Sequence, residues 1–148
     1  MATYEGRRID GNAVVTVDGV PLPPRHDLAN HSPDGFEWGY AGSGPSQLAL
    51  GILAHHFHAT GDNPELADDQ RKSLWDAKAL ALLHDFKPKL ITPLQGDWQF
   101  DTHVVADTVN MVVKEESERY FALAMRLEVE NRRLTQEVSR CYELLEQS

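Results

Sequence analysis

The last quarter of the chain restricts the fold more than any other feature. Residues 114–147 contain neither proline nor glycine, and a helix of that length extends over roughly 50 Å. Apolar residues recur in it with the heptad spacing of a coiled coil. With Leu127 at position d, positions a and d form a seam made of Leu127, Asn131, Leu134, Val138, Cys141 and Leu145. We therefore predict that residues 113–148 form a coiled-coil oligomerisation helix.

The kind of oligomer follows from one polar residue in this heptad seam. An asparagine at a single a position, here Asn131, pairs with its symmetry mate across a parallel dimer and fixes the register at a cost in stability. A parallel homodimer is the predicted state. Leu123 and Leu144 fall at position g, which widens the apolar face and favours more than two chains. The alternative is one long helix that folds back on its own domain.

The first 112 residues predict a small antiparallel sheet packed against helices, which makes the whole chain an α+β protein. Asp10-Gly11 and Asp18-Gly19 are turn signals. They separate candidate strands at 4–9, 13–17 and 20–22. Phe36, Trp38 and Tyr40 alternate at strand spacing, so residues 35–40 are predicted to form a short strand with these three aromatic side chains on one face.

Helices are predicted between these strands and the tail. Gly44 and Pro45 suit the cap and first position of a largely buried helix. A second helix is predicted to begin at Asn63-Pro64 and to be interrupted before Trp75. A further helical stretch follows and meets Pro88, and Leu90 and Ile91 extend its apolar pattern. A short strand containing Trp98 and Phe100 comes next, and then a helix capped by Asp101.

The densest motif is the glycine-rich turn, residues 39–46, which joins the aromatic segment to the first helix. Glycines there let another group approach the backbone closely, and a helix N-terminus attracts anions. The predicted ligand-binding residues are Trp38, Tyr40, Gly42, Ser43, Gly44 and Ser46. A small anion or nucleotide is the ligand class. The alternative is a structural turn whose glycines let a buried helix pack tightly.

The run HSPDGFEWGYAGSGPSQLALGIL, with Tyr4, Gly6 and Arg7 before it and Phe86, Lys87 and Trp98 after it, resembles an uncharacterised domain family of small bacterial, plasmid and phage proteins. The resemblance covers about residues 3–110. It implies a phage or mobile-element context and no particular chemistry. The C-terminal helix and the HHFH segment at 55–58 lie outside the pattern that carries the resemblance.

Composition narrows the function classes. The net charge is −9 with a pI near 5.1, which argues against wrapping a nucleic-acid backbone. A single cysteine, the lack of a signal-peptide pattern and the lack of a long apolar run predict a cytoplasmic protein without disulfides or membrane spans. No cofactor is expected.

Catalytic and metal-binding patterns are weak. His55 and His58 have the spacing to share a metal with His84 or Asp62, but a solvated helix end explains them better. Asp34 and Glu37 are a candidate acid–base pair, and Ser43 is a nucleophile whose base the sequence does not identify.

Three function hypotheses follow from these observations. The leading one is a non-enzymatic, oligomeric binding protein that sequesters or inhibits a host component such as a defence factor. The second is a nucleotide-binding or small-ligand module that uses the glycine-rich turn. The third is a small hydrolase.

Overall fold

A computed structural model describes residues 1–147, which form two compact units. The first unit is Met1–Val112, called the N-terminal domain below, and the second begins at Val113. The predicted α+β class is confirmed, because a four-stranded antiparallel sheet is combined with helices and with a long C-terminal helix.

The sheet has four strands, β1 (Thr3–Ile9), β2 (Asn12–Val17), β3 (Val20–Pro21) and β4 (Trp98–Asp101), in the order β3-β2-β1-β4. The Asp10-Gly11 and Asp18-Gly19 pairs have positive φ angles throughout. This is the backbone of the tight turns whose twist matches that of paired strands. The predicted hairpin is therefore present, and Gly6 on β1 lies opposite Val15 on β2 and Trp98 on β4.

Three α-helices complete the described chain. They are α1 (Ser43–Thr60), α2 (Asp68–Phe86) and α3 (Thr102–Glu146), and a π-helical turn (Lys87–Ile91) follows α2 directly. The predicted cap of α3 is confirmed, since the Asp101 carboxylate accepts hydrogen bonds from the backbone N–H groups of His103 at 2.8 Å and Val104 at 3.3 Å.

The core of the N-terminal domain is built around α1. Every residue of α1 from Gly44 to Ala54 is buried, as expected for a helix that is apolar on nearly all sides. The other fully buried large apolar side chains come from the sheet, from α2 and its π-helical turn, and from the first turns of α3. They are Tyr4, Leu83, Phe86, Ile91, Val105 and Val112.

The predicted strand at residues 35–40 is wrong. Gly35 and Gly39 have φ angles of +99° and +87°, which an extended strand does not adopt. The three aromatic side chains consequently do not share a face. Trp38 is buried, Phe36 is half-buried and Tyr40 is exposed.

Two helix boundaries also differ from prediction. Residues 63–66 form a turn, in which the Leu66 N–H donates to the Asn63 carbonyl, and α2 begins at Asp68. The helix then continues through Trp75 without interruption. As predicted, the α-helix ends close to Pro88, since α2 ends at Phe86 and Pro88 lies at the start of the π-helical turn. Gly42 rather than Gly44 is the cap of α1.

Within residues 1–147, no helix combines the length and apolar character that crossing a bilayer requires.

Candidate functional site

The heptad seam lies on the second half of α3 and is exposed to solvent along its length. Its four aliphatic members, Leu127, Leu134, Val138 and Leu145, are 46–71% exposed, and Asn131 and Cys141 are exposed as well. None of residues 113–147 is buried. The structure therefore contains a long helix whose apolar stripe has no covering within the described chain.

Charged residues beside the seam pair along their own helix. Arg132 bonds Glu128 at 2.9 Å, and Arg133 bonds Glu130 at 2.8 Å. Such exposed pairs three or four residues apart contribute only about 0.2–0.5 kcal/mol each. They place opposite charges next to each other along the same helix.

The glycine-rich turn is closely packed against its neighbours. A Cβ atom at Gly44 would lie 2.5 Å from Cβ of Glu37, and one at Gly42 would lie 2.4 Å from the ring of Tyr40. Glycine is thus needed at position 44, where Cβ of Glu37 occupies the space of a side chain, whereas at position 42 the neighbour is the exposed ring of Tyr40, which can turn away. This packing is what the structural interpretation of the turn predicts.

The two serines of the turn differ in environment. Ser46 is buried, and its hydroxyl donates to the Gly42 carbonyl at 3.0 Å and accepts from Lys87 Nζ at 3.0 Å. Ser43 is exposed. The structure thus places one lysine ammonium at the first turn of α1. Anion binding by Ser43, Ser46 and the adjacent backbone stays a prediction.

Other protein groups contact the ring of Trp38, one of the two aromatic residues predicted to bind a ligand. The Arg8 guanidinium lies 4.5 Å from the centre of the Trp38 ring, and the Trp98 ring meets Trp38 edge to face at 5.6 Å. The indole N–H of Trp38 donates to the Gly96 carbonyl at 2.8 Å. Of the two aromatic residues in the predicted site, Tyr40 is the exposed one.

The carboxylate of Glu37 is held by Arg8 in a bidentate pair with distances of 3.0 and 2.6 Å. Such a fork fixes both carboxylate oxygens, so Glu37 serves to join the turn to β1. Asp34, its predicted partner in acid–base chemistry, is exposed. Sequence reasoning missed Arg8, although it stands directly after the Arg7 that marks the family-like pattern.

Gln47 is a second residue that the sequence did not single out. Its side chain is fully buried, and its oxygen accepts from the backbone N–H groups of His31 at 2.8 Å and Ser32 at 3.1 Å. Its amide nitrogen donates to the Pro24 and Ala29 carbonyls. All four hydrogen-bonding positions of this buried amide are satisfied, and they fix the loop at 24–32 against α1.

The histidines near the end of α1 have separate partners. His55 Nδ1 lies 2.9 Å from the Tyr4 hydroxyl, and His58 Nε2 lies 2.7 Å from Asp76 Oδ1. Burial raises the pKa of Tyr4 to about 12 and lowers the pKa of His55 below its usual value. Among residues 1–147, no group of His, Cys, Asp and Glu side chains has the arrangement of a metal site.

A family model described as "Family of unknown function (DUF6166)" matches residues 4–111. No curated protein and no solved structure matches the chain. The matched range ends before the part of α3 that carries the heptad seam.

Proposed function

Because the chain belongs to this family of unknown function over residues 4–111, we propose a function from the geometry of its two units. The protein is a self-associating, non-enzymatic binding protein. Its C-terminal helix joins two copies as a parallel dimer, and its acidic N-terminal domain binds a basic surface on a host protein. Binding sequesters or inhibits that host component.

The observation that carries the proposal is the exposed heptad seam. Aliphatic side chains that are 46–71% exposed recur at heptad positions over Leu127–Leu145. An exposed apolar stripe of this kind marks an interaction site, because burying it against another surface is favourable. A second copy of the same helix supplies one with identical spacing, and it places Asn131 opposite Asn131, where each amide satisfies the other.

Charge supports a basic protein as the partner of the N-terminal domain. Residues 1–112 contain 15 Asp and Glu against 8 Lys and Arg. Complementary charge speeds encounter and excludes wrong partners. When two such domains are joined and the partner offers two basic sites, the second domain binds at a high effective concentration. The overall affinity is then higher than that of either contact alone.

The biological setting rests on the resemblance of the central motif to small proteins of bacteria, plasmids and phages. A compact acidic protein from a mobile element is suited to block a host factor such as a defence component. The part of α3 that carries the heptad seam lies outside the family match. By joining two copies, it would give the protein two binding domains instead of one.

Affinity capture from bacterial lysate tests the proposal with three matched baits. These are the wild-type chain, the double variant Leu127→Ala/Leu134→Ala, which shortens two seam side chains, and Val129→Ala, which shortens an exposed side chain outside the seam. Capture is compared in about 0.1 M and about 0.5 M salt, where the Debye length falls from roughly 10 Å to roughly 4 Å.

The expected result is one protein retained by the wild type and by Val129→Ala, weakened for the double variant and released by high salt. Equal capture by all three baits in both salts would contradict the proposal. Release of a nucleotide from the purified protein would favour the small-ligand alternative instead, and turnover of phosphate or ester substrates would favour the hydrolase.

A further inference from the structure

The end of α1 carries three histidines, and each contacts a different element of the N-terminal domain. His55 Nδ1 meets the Tyr4 hydroxyl on β1 at 2.9 Å. His56 Nδ1 lies 3.4 Å from the hydroxyl oxygen of Thr102, the first residue of α3. His58 Nε2 meets Asp76 on α2 at 2.7 Å. The HHFH segment therefore connects one helix end to three other elements.

The contact between His55 and Tyr4 depends on the charge of the imidazole. Tyr4 is fully buried and its pKa is raised to about 12, so its hydroxyl keeps its proton. When the neutral His55 carries its proton on Nε2, the Tyr4 hydroxyl donates to Nδ1. Protonation of His55 removes that acceptor. Burial is the largest cause of the lowered pKa of His55. Asp18, in the turn between β2 and β3, opposes the shift, and His58 on the same helix adds to it.

His56 is the more buried of the pair, with 7% of its surface exposed. Burial lowers its pKa, and the neighbouring His55 lowers it further. Thr102, which faces it from α3, carries no charge, and the ring of Phe57 lies 5.5 Å away on its own helix. A proton on His56 would thus enter an apolar setting beside a second histidine.

His58 has the opposite environment. The Asp76 carboxylate that it contacts also accepts from Arg25 at 3.1 Å, and the Trp75 ring lies 5.2 Å from the imidazole. Because Nε2 faces a carboxylate oxygen, which only accepts, the imidazole donates in this contact, and a second proton on the ring does not remove that donor. Protonation therefore disfavours the contacts of His55 and His56 and leaves the contact of His58 in place.

We propose that His55, His56 and His58 form a proton-sensitive latch, in which mild acid releases the end of α1 from β1 and from the start of α3 while its contact with α2 remains. The latch would loosen the N-terminal domain locally in an acidified compartment or cell. It is independent of the proposed partner and of self-association.

The change of folding stability with pH follows from the difference in proton binding between the folded and unfolded chains. An unperturbed histidine has a pKa near 6.5, and the folded-state values of His55 and His56 lie below their ordinary value. The unfolded chain then binds more protons than the folded chain once the pH falls below about 6.5. The contribution of these two residues is fully present above that pH and is lost as the pH falls through their folded pKa values.

The test uses the full chain between about pH 7.5 and 5.5, a range in which histidines titrate and most carboxylates do not. Scanning calorimetry compares wild type with His55→Gln/His56→Gln and with the control His103→Gln, an exposed histidine near the start of α3. The wild type and the control should lose melting temperature together as the pH falls. The double variant should lose less than half as much, and an equal loss would overturn the latch.

A second measurement decides the question if the double variant fails to fold at the higher pH. The imidazole signals of wild-type protein are followed by nuclear magnetic resonance through the same titration. His55 and His56 should titrate below pH 6.5, the ordinary pKa of a histidine. Titration of either residue at or above that value overturns the proposal.

Discussion

Shortening one side chain of the heptad seam gives the most direct test of self-association. Leu134 occupies position d and is 46% exposed, so about half of its surface is available to a partner helix. Full burial of a leucine is worth about 2 kcal/mol. Covering the exposed half contributes about 1 kcal/mol in each copy, and Leu134→Ala should therefore cost about 2 kcal/mol per dimer.

Sedimentation equilibrium converts that energy into a measurable affinity. A loss of about 2 kcal/mol corresponds to a dimer Kd about 30-fold weaker. Alanine is the best helix former, so the substitution does not weaken the helix itself. Val129→Ala is the matched control, because Val129 is 65% exposed but lies at position f, on the opposite side of the helix from the seam. It should leave the Kd unchanged.

Two results would refute the reasoning. If Val129→Ala weakens association as much as Leu134→Ala, the contact does not use the heptad seam. If the wild-type chain sediments as a monomer at roughly 10–100 μM, where the corresponding free energy is only about −5.5 to −7 kcal/mol, the helix does not associate with itself and its apolar stripe serves another partner.

Four further predictions concern other parts of the chain. Asn131→Leu should raise the melting temperature of the oligomer and broaden its distribution of states in light scattering, because a buried polar pair is removed. A chain truncated after Val112 should keep a cooperative thermal transition, since a domain of this size buries an adequate core; a disordered fragment would contradict this. Ser43→Ala should cost at most about 1 kcal/mol of stability, and a panel of nucleotides and phosphate that shifts the melting of wild type, but not of this variant, would establish the turn as an anion site. Gln47→Leu should cost about 3 kcal/mol in denaturant unfolding, because four partly buried backbone groups lose their partner.

The elements that the sequence predicted well are those with local signals. The Asp-Gly pairs at 10–11 and 18–19 require positive φ angles and bring adjacent strands together. The cap at Asp101 requires only the backbone N–H groups two and three residues ahead. The C-terminal helix follows from its uninterrupted run of helix-forming residues. In each case the residues that determine the structure are neighbours in the chain.

The errors arose where distant residues decide the conformation. Trp38 alternates with Phe36 and Tyr40 as a strand would, yet its indole is drawn inward by the Gly96 carbonyl, 58 residues away in the chain. The interruption predicted before Trp75 is absent, and α2 continues through this residue, whose ring packs against His58 on α1. These outcomes depend on tertiary contacts that spacing along the chain does not encode.

The sequence predicted where the candidate site lies, but it did not predict the side-chain hydrogen bonds of the N-terminal domain. Heptad spacing alone located the exposed stripe on α3. The pairing of Arg8 with Glu37 and the four bonds of Gln47 required knowing which segments fold together, since their partners lie 15 to 29 residues away. The histidines were likewise interpreted as a solvated helix end, because Tyr4 and Thr102 are far from them in the chain.

The edge-to-face contact between Trp38 and Trp98 also makes the protein easy to follow by optical spectroscopy. All three tryptophans, Trp38, Trp75 and Trp98, belong to residues 1–112, and the C-terminal helix contains none. Tryptophan emission, excited at a wavelength that tyrosine does not absorb, therefore reports on the N-terminal domain alone, whereas far-ultraviolet ellipticity also includes the long helix. Recording both signals in one heating experiment distinguishes loss of the aromatic cluster from melting of the tail, without labels or mutations.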